Sequence, residues 1–123
     1  MDVPRGVDTI GKGVFKDCES LVSIHIPDSV TSIGDYAFWQ CKALANVEIP
    51  ASVTSIGMSA FESCDSLQTV CFRHRDIGGC EIDAEAFKRV DLNKCTLCVS
   101  EENLGACRLH PVLSKFKHIV TFF

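Results

Sequence analysis

Two cysteines with a Cys-x-x-Cys spacing, Cys95 and Cys98, are the residues that most directly suggest chemistry. This spacing occurs in thiol redox sites and zinc sites, and Cys107 and His110 could nominally complete a zinc set. Both uses require the two sulfurs on one side of the chain. The pair lies along a predicted strand, however, where residues i and i+3 face opposite ways. The position of the pair on a strand therefore argues against a zinc or thiol site, and we predict no metal ligand and no cofactor.

The four histidines do not form a catalytic pattern either. His25, His74, His110 and His118 are scattered, and no Ser or Cys is placed to complete a triad with one of them. We therefore expect a protein that is not an enzyme.

The elements that position these residues follow from an internal repeat. Residues 4–22, 27–45 and 50–68 share the frame P-x-x-V-x-x-I-G-x-x-(A/V)-F-x-x-C-x-x-L, and each anchor recurs after 23 residues. A fixed period of this length is typical of a solenoid, in which each unit is buried by its neighbours. We predict an α/β solenoid of 23-residue coils with a narrow parallel sheet, short helical turns and a C-terminal helical cap.

Apolar and polar residues alternate after the Leu that ends each copy of the frame (Leu21, Leu44 and Leu67), which predicts one strand per coil. Apolar side chains such as Ile24, Val47 and Val70 then point inward. The outward side chains form the candidate binding face: Ser23, His25, Asn46, Glu48, Thr69, Cys71 and Arg73. The alternative is that these polar side chains are merely solvated.

A lone aromatic residue, Trp39, stands between charged residues of the neighbouring copies. Its position suggests partial exposure and a role as a contact anchor for a partner. The alternative is that the ring folds over Tyr36 or a neighbouring coil.

The rest of each coil is also specified by columns. Residues 30–33 and 53–56 are predicted as a second short extended piece, and the glycine that follows, Gly34 or Gly57, as a turn with positive φ. Residues 35–40 and 58–63 are predicted to form one or two helical turns. Two columns should lie in the core: Phe15, Phe38 and Phe61 as its spine, and Cys18, Cys41 and Cys64 as free thiols.

The pattern becomes irregular after residue 72. Residues 76–87 are predicted as a fourth coil with extra residues looped out around 73–79, and 96–99 as the last strand. Ser100 is predicted to N-cap a helix that Pro111 ends, with Leu104 and Cys107 toward the core. A second short turn follows at 112–116, then a final strand or tail at 119–123. We thus expect a solenoid over residues 1–99 and a C-terminal cap over 100–123.

The composition and charge of the chain argue against some classes of function. The chain has 123 residues, a net charge of −4 and no basic run interleaved with aromatics, which argues against nucleic acid as a partner. No apolar run approaches the length of a membrane span, and the first residues do not form a signal peptide. The chain begins within the repeat, with Val3 where Ile26 and Ile49 stand, so we expect the first coil to lack an N-terminal cap.

The consensus L-x-x-I-x-I-P-x-S-V-T-S-I-G-x-x-A-F-x-x-C resembles the BspA-type class of leucine-rich repeats. The segment from Cys95 to Val120, with His110-Pro111 and Lys115-Phe116-Lys117, resembles the C-terminal cap of such proteins from gut anaerobes. The resemblance implies a curved solenoid without a catalytic motif. It also implies a surface-exposed or secreted protein that binds host proteins or other cells.

We therefore expect a protein–protein interaction module for adhesion or cell-surface binding that uses the sheet face, with a partner of unknown identity. One alternative is a structural fragment that forms a homodimer through its uncapped first coil. Another is a thiol or zinc protein built on Cys95, Cys98 and Cys107. The resemblance places the protein at the cell surface or outside the cell, while the missing signal peptide leaves the cytoplasm open.

Overall fold

Two parallel β-sheets run along the molecule, and the chain alternates between them until its last strand, which joins the same sheet as the strand before it. A computed structural model describes residues 1–122. The four-stranded sheet contains β1 (Thr9–Ile10), β3 (Ser32–Ile33), β5 (Ser55–Ile56) and β7 (Glu81–Ile82). The five-stranded sheet contains β2 (Ser23–Ile24), β4 (Asn46–Ile49), β6 (Thr69–Phe72), β8 (Thr96–Ser100) and β9 (His118–Phe122). Since each coil gives one strand to each sheet, the chain is a solenoid, as the repeat predicts.

The ladder register confirms the repeat period. Thr9 pairs with Ser32 and Ser32 with Ser55, each 23 residues further on. The next partner of Ser55 is Glu81, 26 residues on, so the fourth coil contains extra residues. They form a 3-10 helix, Ile77–Gly79, which begins after Asp76, and the Asp76 carboxylate accepts a hydrogen bond from the Gly78 N–H at 2.9 Å. The predicted insertion is thus confirmed.

The segments after each glycine are not helical turns, and that prediction is wrong. Tyr36 (φ 58°) and Gln40 (φ 57°) adopt the left-handed conformation, which interrupts a right-handed helix. The amides instead bond between coils: Phe15 N–H donates to the Ala37 carbonyl at 2.9 Å, and Phe38 N–H to the Ala60 carbonyl at 2.7 Å. Because an α-helix would use these amides internally, the turns form a third ladder only by not being helical.

The prediction of positive φ at Gly34 and Gly57 is also wrong, because the left-handed column lies two residues later, at Gly13, Tyr36 and Ser59. Close approach between coils explains these glycines. A Cβ on Gly34 would lie 2.9 Å from the Lys12 nitrogen, and one on Gly57 would lie 2.7 Å from the Asp35 nitrogen. A side chain would therefore push neighbouring coils apart.

The core contains the two predicted columns. Phe15, Phe38, Phe61 and Phe87 stack with successive ring centroids 5.4, 5.1 and 5.3 Å apart. Phe116 meets Phe87 edge-on at 5.3 Å and ends the stack.

The cysteines of the repeat are free, as predicted. Cys41 and Cys64 are buried, and Cys18 in the first coil is half-buried. The Cys41 thiol donates to the Phe15 carbonyl at 3.0 Å and the Cys64 thiol to the Phe38 carbonyl at 3.2 Å. Each thiol thus reaches back to the preceding coil.

The C-terminal segment adds a helix and a strand. The α-helix α1 (Leu104–Leu109) follows a 3-10 helix, Glu101–Asn103, and precedes another, Leu113–Lys115. Cys107 is fully buried and Leu104 partly so. Residues 96–99 are not the last strand, because β9 pairs in parallel with β8 from Thr96↔His118 to Ser100↔Phe122. The sheet therefore continues into the C-terminal segment, and residue 123 of the predicted final strand lies outside the described residues.

Ser100 precedes the Glu101–Asn103 helix, but its side chain makes no capping hydrogen bond. Its hydroxyl instead accepts a hydrogen bond from the side-chain nitrogen Nδ2 of Asn103 at 2.9 Å. The prediction that Ser100 caps the helix through a backbone N–H is therefore wrong. At the other end of the chain, Val3 is buried and its N–H donates to the His25 carbonyl at 3.0 Å. Val3 therefore occupies the predicted place in the repeat.

Candidate functional site

The five-stranded sheet turns an ordered row of polar side chains outward. Ser23 pairs with Asn46 and Asn46 with Thr69, so the three lie in one row across neighbouring strands. Glu48 pairs with Cys71, which pairs with Cys98, and these form a second row. The alternation of β4 is complete, with Asn46 and Glu48 exposed and Val47 and Ile49 buried. The structure thus places the predicted face on one side of one sheet.

Arg73 and Glu48 form the most defined contact on this face. The Arg73 Nε donates to Glu48 Oε1 at 2.6 Å, and the guanidinium carbon lies 4.5 Å from the centroid of the Phe122 ring. The hydrogen bond with Glu48 raises the pKa of Arg73 further above its ordinary value. Both side chains remain substantially exposed, so the pair orders the surface more than it stabilises the fold.

A cavity of about 270 Å³ lies beside this pair. Its lining includes Ser23, His25, Glu48 and Arg73, four of the seven side chains predicted for the face, together with the carboxylates of Asp2 and Asp28. The sequence did not single out these two carboxylates, although their positions immediately before Val3 and after Pro27 place them at the strand ends. The cavity therefore offers three carboxylates, one guanidinium and one imidazole.

Cys71 does not have the exposure expected of a binding residue. Its position in the ladder is outward, but its side chain is only 8% exposed. Burial raises its pKa to about 12, and a hydrogen bond with the Cys98 side chain adds to the increase. The charge of Arg73 acts to lower the pKa of this thiol and that of Glu48 to raise it.

Trp39 is half-buried on the turn side of the solenoid. Its ring meets Tyr36 edge-on at 6.4 Å, and the Lys16 ammonium lies 5.2 Å from its centroid. The ring thus packs edge-on against Tyr36 and remains partly exposed, so its role as a contact anchor stays a prediction. Beside it is a cavity of about 480 Å³ lined by Lys12, Gly13, Lys16, Tyr36 and Trp39. Lys16 is the charged residue one repeat before Trp39 in the same column, whereas Lys12 was not foreseen.

The nearby carboxylate of Glu62 also belongs to this surface. Hydrogen bonds from the Ser59 and Trp39 side chains hold the pKa of Glu62 below its ordinary value, although burial acts in the opposite direction.

The residues of the nominal zinc set do not converge. Cys95 and Cys107 are fully buried, whereas Cys98 is half-buried on the outward face of β8. Burial raises the pKa of Cys95 to about 11 and also raises that of Cys107. Nδ1 of His110 accepts hydrogen bonds from the Val112 and Leu113 amides at 3.0 and 3.1 Å. Within residues 1–122, no group of three or more His, Cys, Asp or Glu residues is arranged to hold a metal ion.

In the part of the chain that the structure describes, no helix is both long enough and apolar enough to cross a bilayer.

Comparison with known proteins identifies a family for this chain. A search of curated proteins found no match. The family model described as "BspA type Leucine rich repeat region (6 copies)" matches residues 1–108, the same span that contains the two-sheet coils. The chain belongs to the BspA-type leucine-rich repeat family.

Proposed function

We propose that this chain is a non-enzymatic protein-binding module that attaches to host or cell-surface proteins through the outward face of its five-stranded sheet. Leucine-rich repeat proteins of this family typically mediate protein interactions, are generally not enzymes and are generally surface-associated.

The observation that carries the proposal is the cavity that brings together Ser23, His25, Glu48 and Arg73. These side chains stand on neighbouring parallel strands, which fix their spacing at about 4.8 Å per coil. A surface of this kind is already ordered before a partner arrives, so binding loses little conformational entropy.

The charge of the cavity suggests the chemistry of the partner. The carboxylates of Asp2, Asp28 and Glu48 outnumber the guanidinium of Arg73, and Arg73 is already bonded to Glu48. A lysine or arginine side chain of a partner would therefore find a free carboxylate at Asp2 or Asp28. The net charge of −4 favours the same encounter at long range.

The test is capture of biotinylated surface proteins from an epithelial cell extract, identified by mass spectrometry. In the quadruple variant Ser23→Ala, His25→Ala, Asn46→Ala and Glu48→Ala, we expect capture of specific proteins to fall at least about 10-fold, the effect of losing about 1.4 kcal/mol of binding free energy. The control removes an exposed ion pair outside the sheet, Lys42→Ala with Asp65→Ala, and should bind as the wild type does. Equal capture by all three proteins would refute the sheet face.

A second candidate function is self-association through the first coil, and a specific observation favours it. Val14 and Val22 are 58% and 57% exposed, although both are large and apolar. Phe15, which begins the aromatic stack, is half-buried, whereas Phe38 and Phe61 are fully buried. The first coil of this chain thus offers apolar surface that a second copy could cover.

A further inference from the structure

Two thiols stand side by side on the outward face of the five-stranded sheet. Cys71 of β6 pairs with Cys98 of β8 in the parallel ladder, and both are free. Cys98 is half-buried, and Cys71 is 8% exposed. Because Cα partners on adjacent parallel strands project their side chains to the same face, the two thiol groups are neighbours on that face. The sequence motif had paired Cys98 with Cys95 instead, on the opposite side of the strand.

The spacing of the two strands decides what such a pair can bind. Equivalent side chains on adjacent strands project in parallel, about 4.8 Å apart. A disulfide requires sulfurs about 2.05 Å apart and a dihedral angle near 90°, whereas Cys71 and Cys98 are both free thiols. Two metal–thiolate bonds of about 2.3 Å in a line span about 4.6 Å, which matches the strand spacing. Thiolates are also the ligands that soft cations such as Cu(I) select.

The surroundings compensate the charge of such a site. The guanidinium of Arg73 acts electrostatically on both Cys71 and Cys98, and it is held in place by Glu48 and by the ring of Phe122. A monovalent cation with two thiolates carries one net negative charge. Arg73 places a positive charge beside it, in a surface where Cys71 is already shielded from water.

We propose that Cys71 and Cys98 form a two-coordinate site for a soft monovalent cation of the Cu(I) type. Binding breaks two S–H bonds, forms two metal–sulfur bonds and releases two protons to solvent, with no change in oxidation state. The site shares Arg73 and Glu48 with the proposed protein-binding face, but its chemistry needs no partner protein.

The test is anaerobic titration of the whole chain with Cu(I), in competition with a coloured Cu(I) chelator. We expect the wild type to retain one Cu(I), and we expect Cys71→Ser and Cys98→Ser each to weaken that binding at least about 100-fold, because two ligands on one scaffold bind cooperatively. Cys18→Ser is the matched control, since Cys18 is also half-buried and lies in another column. It should leave the affinity unchanged.

A second variant protects the test against misfolding. If Cys71→Ser no longer unfolds cooperatively on heating, the Cu(I) affinity of Cys98→Ser alone decides the test. A hydroxyl is tolerated more easily at Cys98, because this side chain is only half-buried. Undiminished Cu(I) affinity in folded Cys98→Ser would overturn the proposal. So would a wild type that loses all its Cu(I) to the competitor, or an equal loss of affinity in Cys18→Ser.

Discussion

At the scale of single residues, Asn103 is the polar side chain with the most buried partners. Its amide nitrogen donates to the His74 carbonyl at 2.8 Å, and its amide oxygen accepts from the Ile77 N–H at 3.1 Å. His74, 4% exposed, donates from Nε2 to the Val53 carbonyl at 2.6 Å, which requires the proton on that nitrogen, while Nδ1 finds no partner among residues 1–122. Asn103 and His74 thus fasten the inserted residues of the fourth coil to the C-terminal segment.

Replacement of Asn103 by Ala should lower the free energy of unfolding by about 2–4 kcal/mol, because two buried backbone groups lose their partners. The measurement is urea-induced unfolding followed by circular dichroism. Asn93→Ala, at an exposed position, is the control and should change stability by less than about 0.5 kcal/mol. A change of that small size in Asn103→Ala would show that the network contributes little.

At the scale of elements, backbone hydrogen bonds between the turns of neighbouring coils and close backbone packing at the glycines join the coils, in addition to the two sheets. The amides of the turns cross between coils, and the glycine that begins each turn lets two backbones approach. Gly57 also lies against Asp35, whose carboxylate accepts from the Met58 N–H at 2.9 Å. A methyl group at this position would have to displace backbone, which is costlier than moving a flexible side chain.

Gly57→Ala should therefore destabilise the chain by about 1–3 kcal/mol, as overpacked sites do. Gly79→Ala is a matched substitution, because a Cβ there meets nothing within 4 Å and the φ of Gly79 is not in the left-handed region. It should be neutral or stabilise by about 0.4–1 kcal/mol through the unfolded state. Guanidinium unfolding of both variants measures the difference, and equal stabilities would contradict the close-approach explanation.

At the scale of the whole molecule, the two ends of the solenoid differ. Phe116 meets the aromatic stack edge-on at the C-terminal end, and β9 pairs with β8 at the edge of the five-stranded sheet there. The first coil presents Val14 and Val22 to solvent at the other end. Because each unit of a solenoid is buried by its neighbours, this difference makes the first coil the surface where a second copy would bind.

If the first coil mediates self-association, light scattering across a concentration series should show a mass that rises toward twice that of the monomer. The double variant Val14→Glu with Val22→Glu should stay monomeric, since charges cannot be buried in an apolar interface without a large desolvation cost. Leu109→Glu, at an 88% exposed position of α1, should dimerise as the wild type does. A wild type that is monomeric throughout the series would rule out this function.

The sequence by itself determined the period, the inward and outward positions of the strands and the two core columns of Phe and Cys. It could do so because the same residue types recur at each coil, and because alternation along a strand has a period of two. The family resemblance was confirmed for the same reason, since many columns agree at once. The predicted boundary between residues 1–99 and 100–123 stays a prediction.

Only the tertiary structure decided how the coils touch. Tyr36 and Gln40 are left-handed, and their own N–H groups donate to carbonyls of the next coil, while Gly57 is required by a backbone one coil away. The pairing of Cys71 with Cys98 depends on the length of the fourth coil, which shifts the ladder from the regular period. No local pattern contains these features, because each depends on which residue of a neighbouring coil, more than 20 positions away, arrives at the same place.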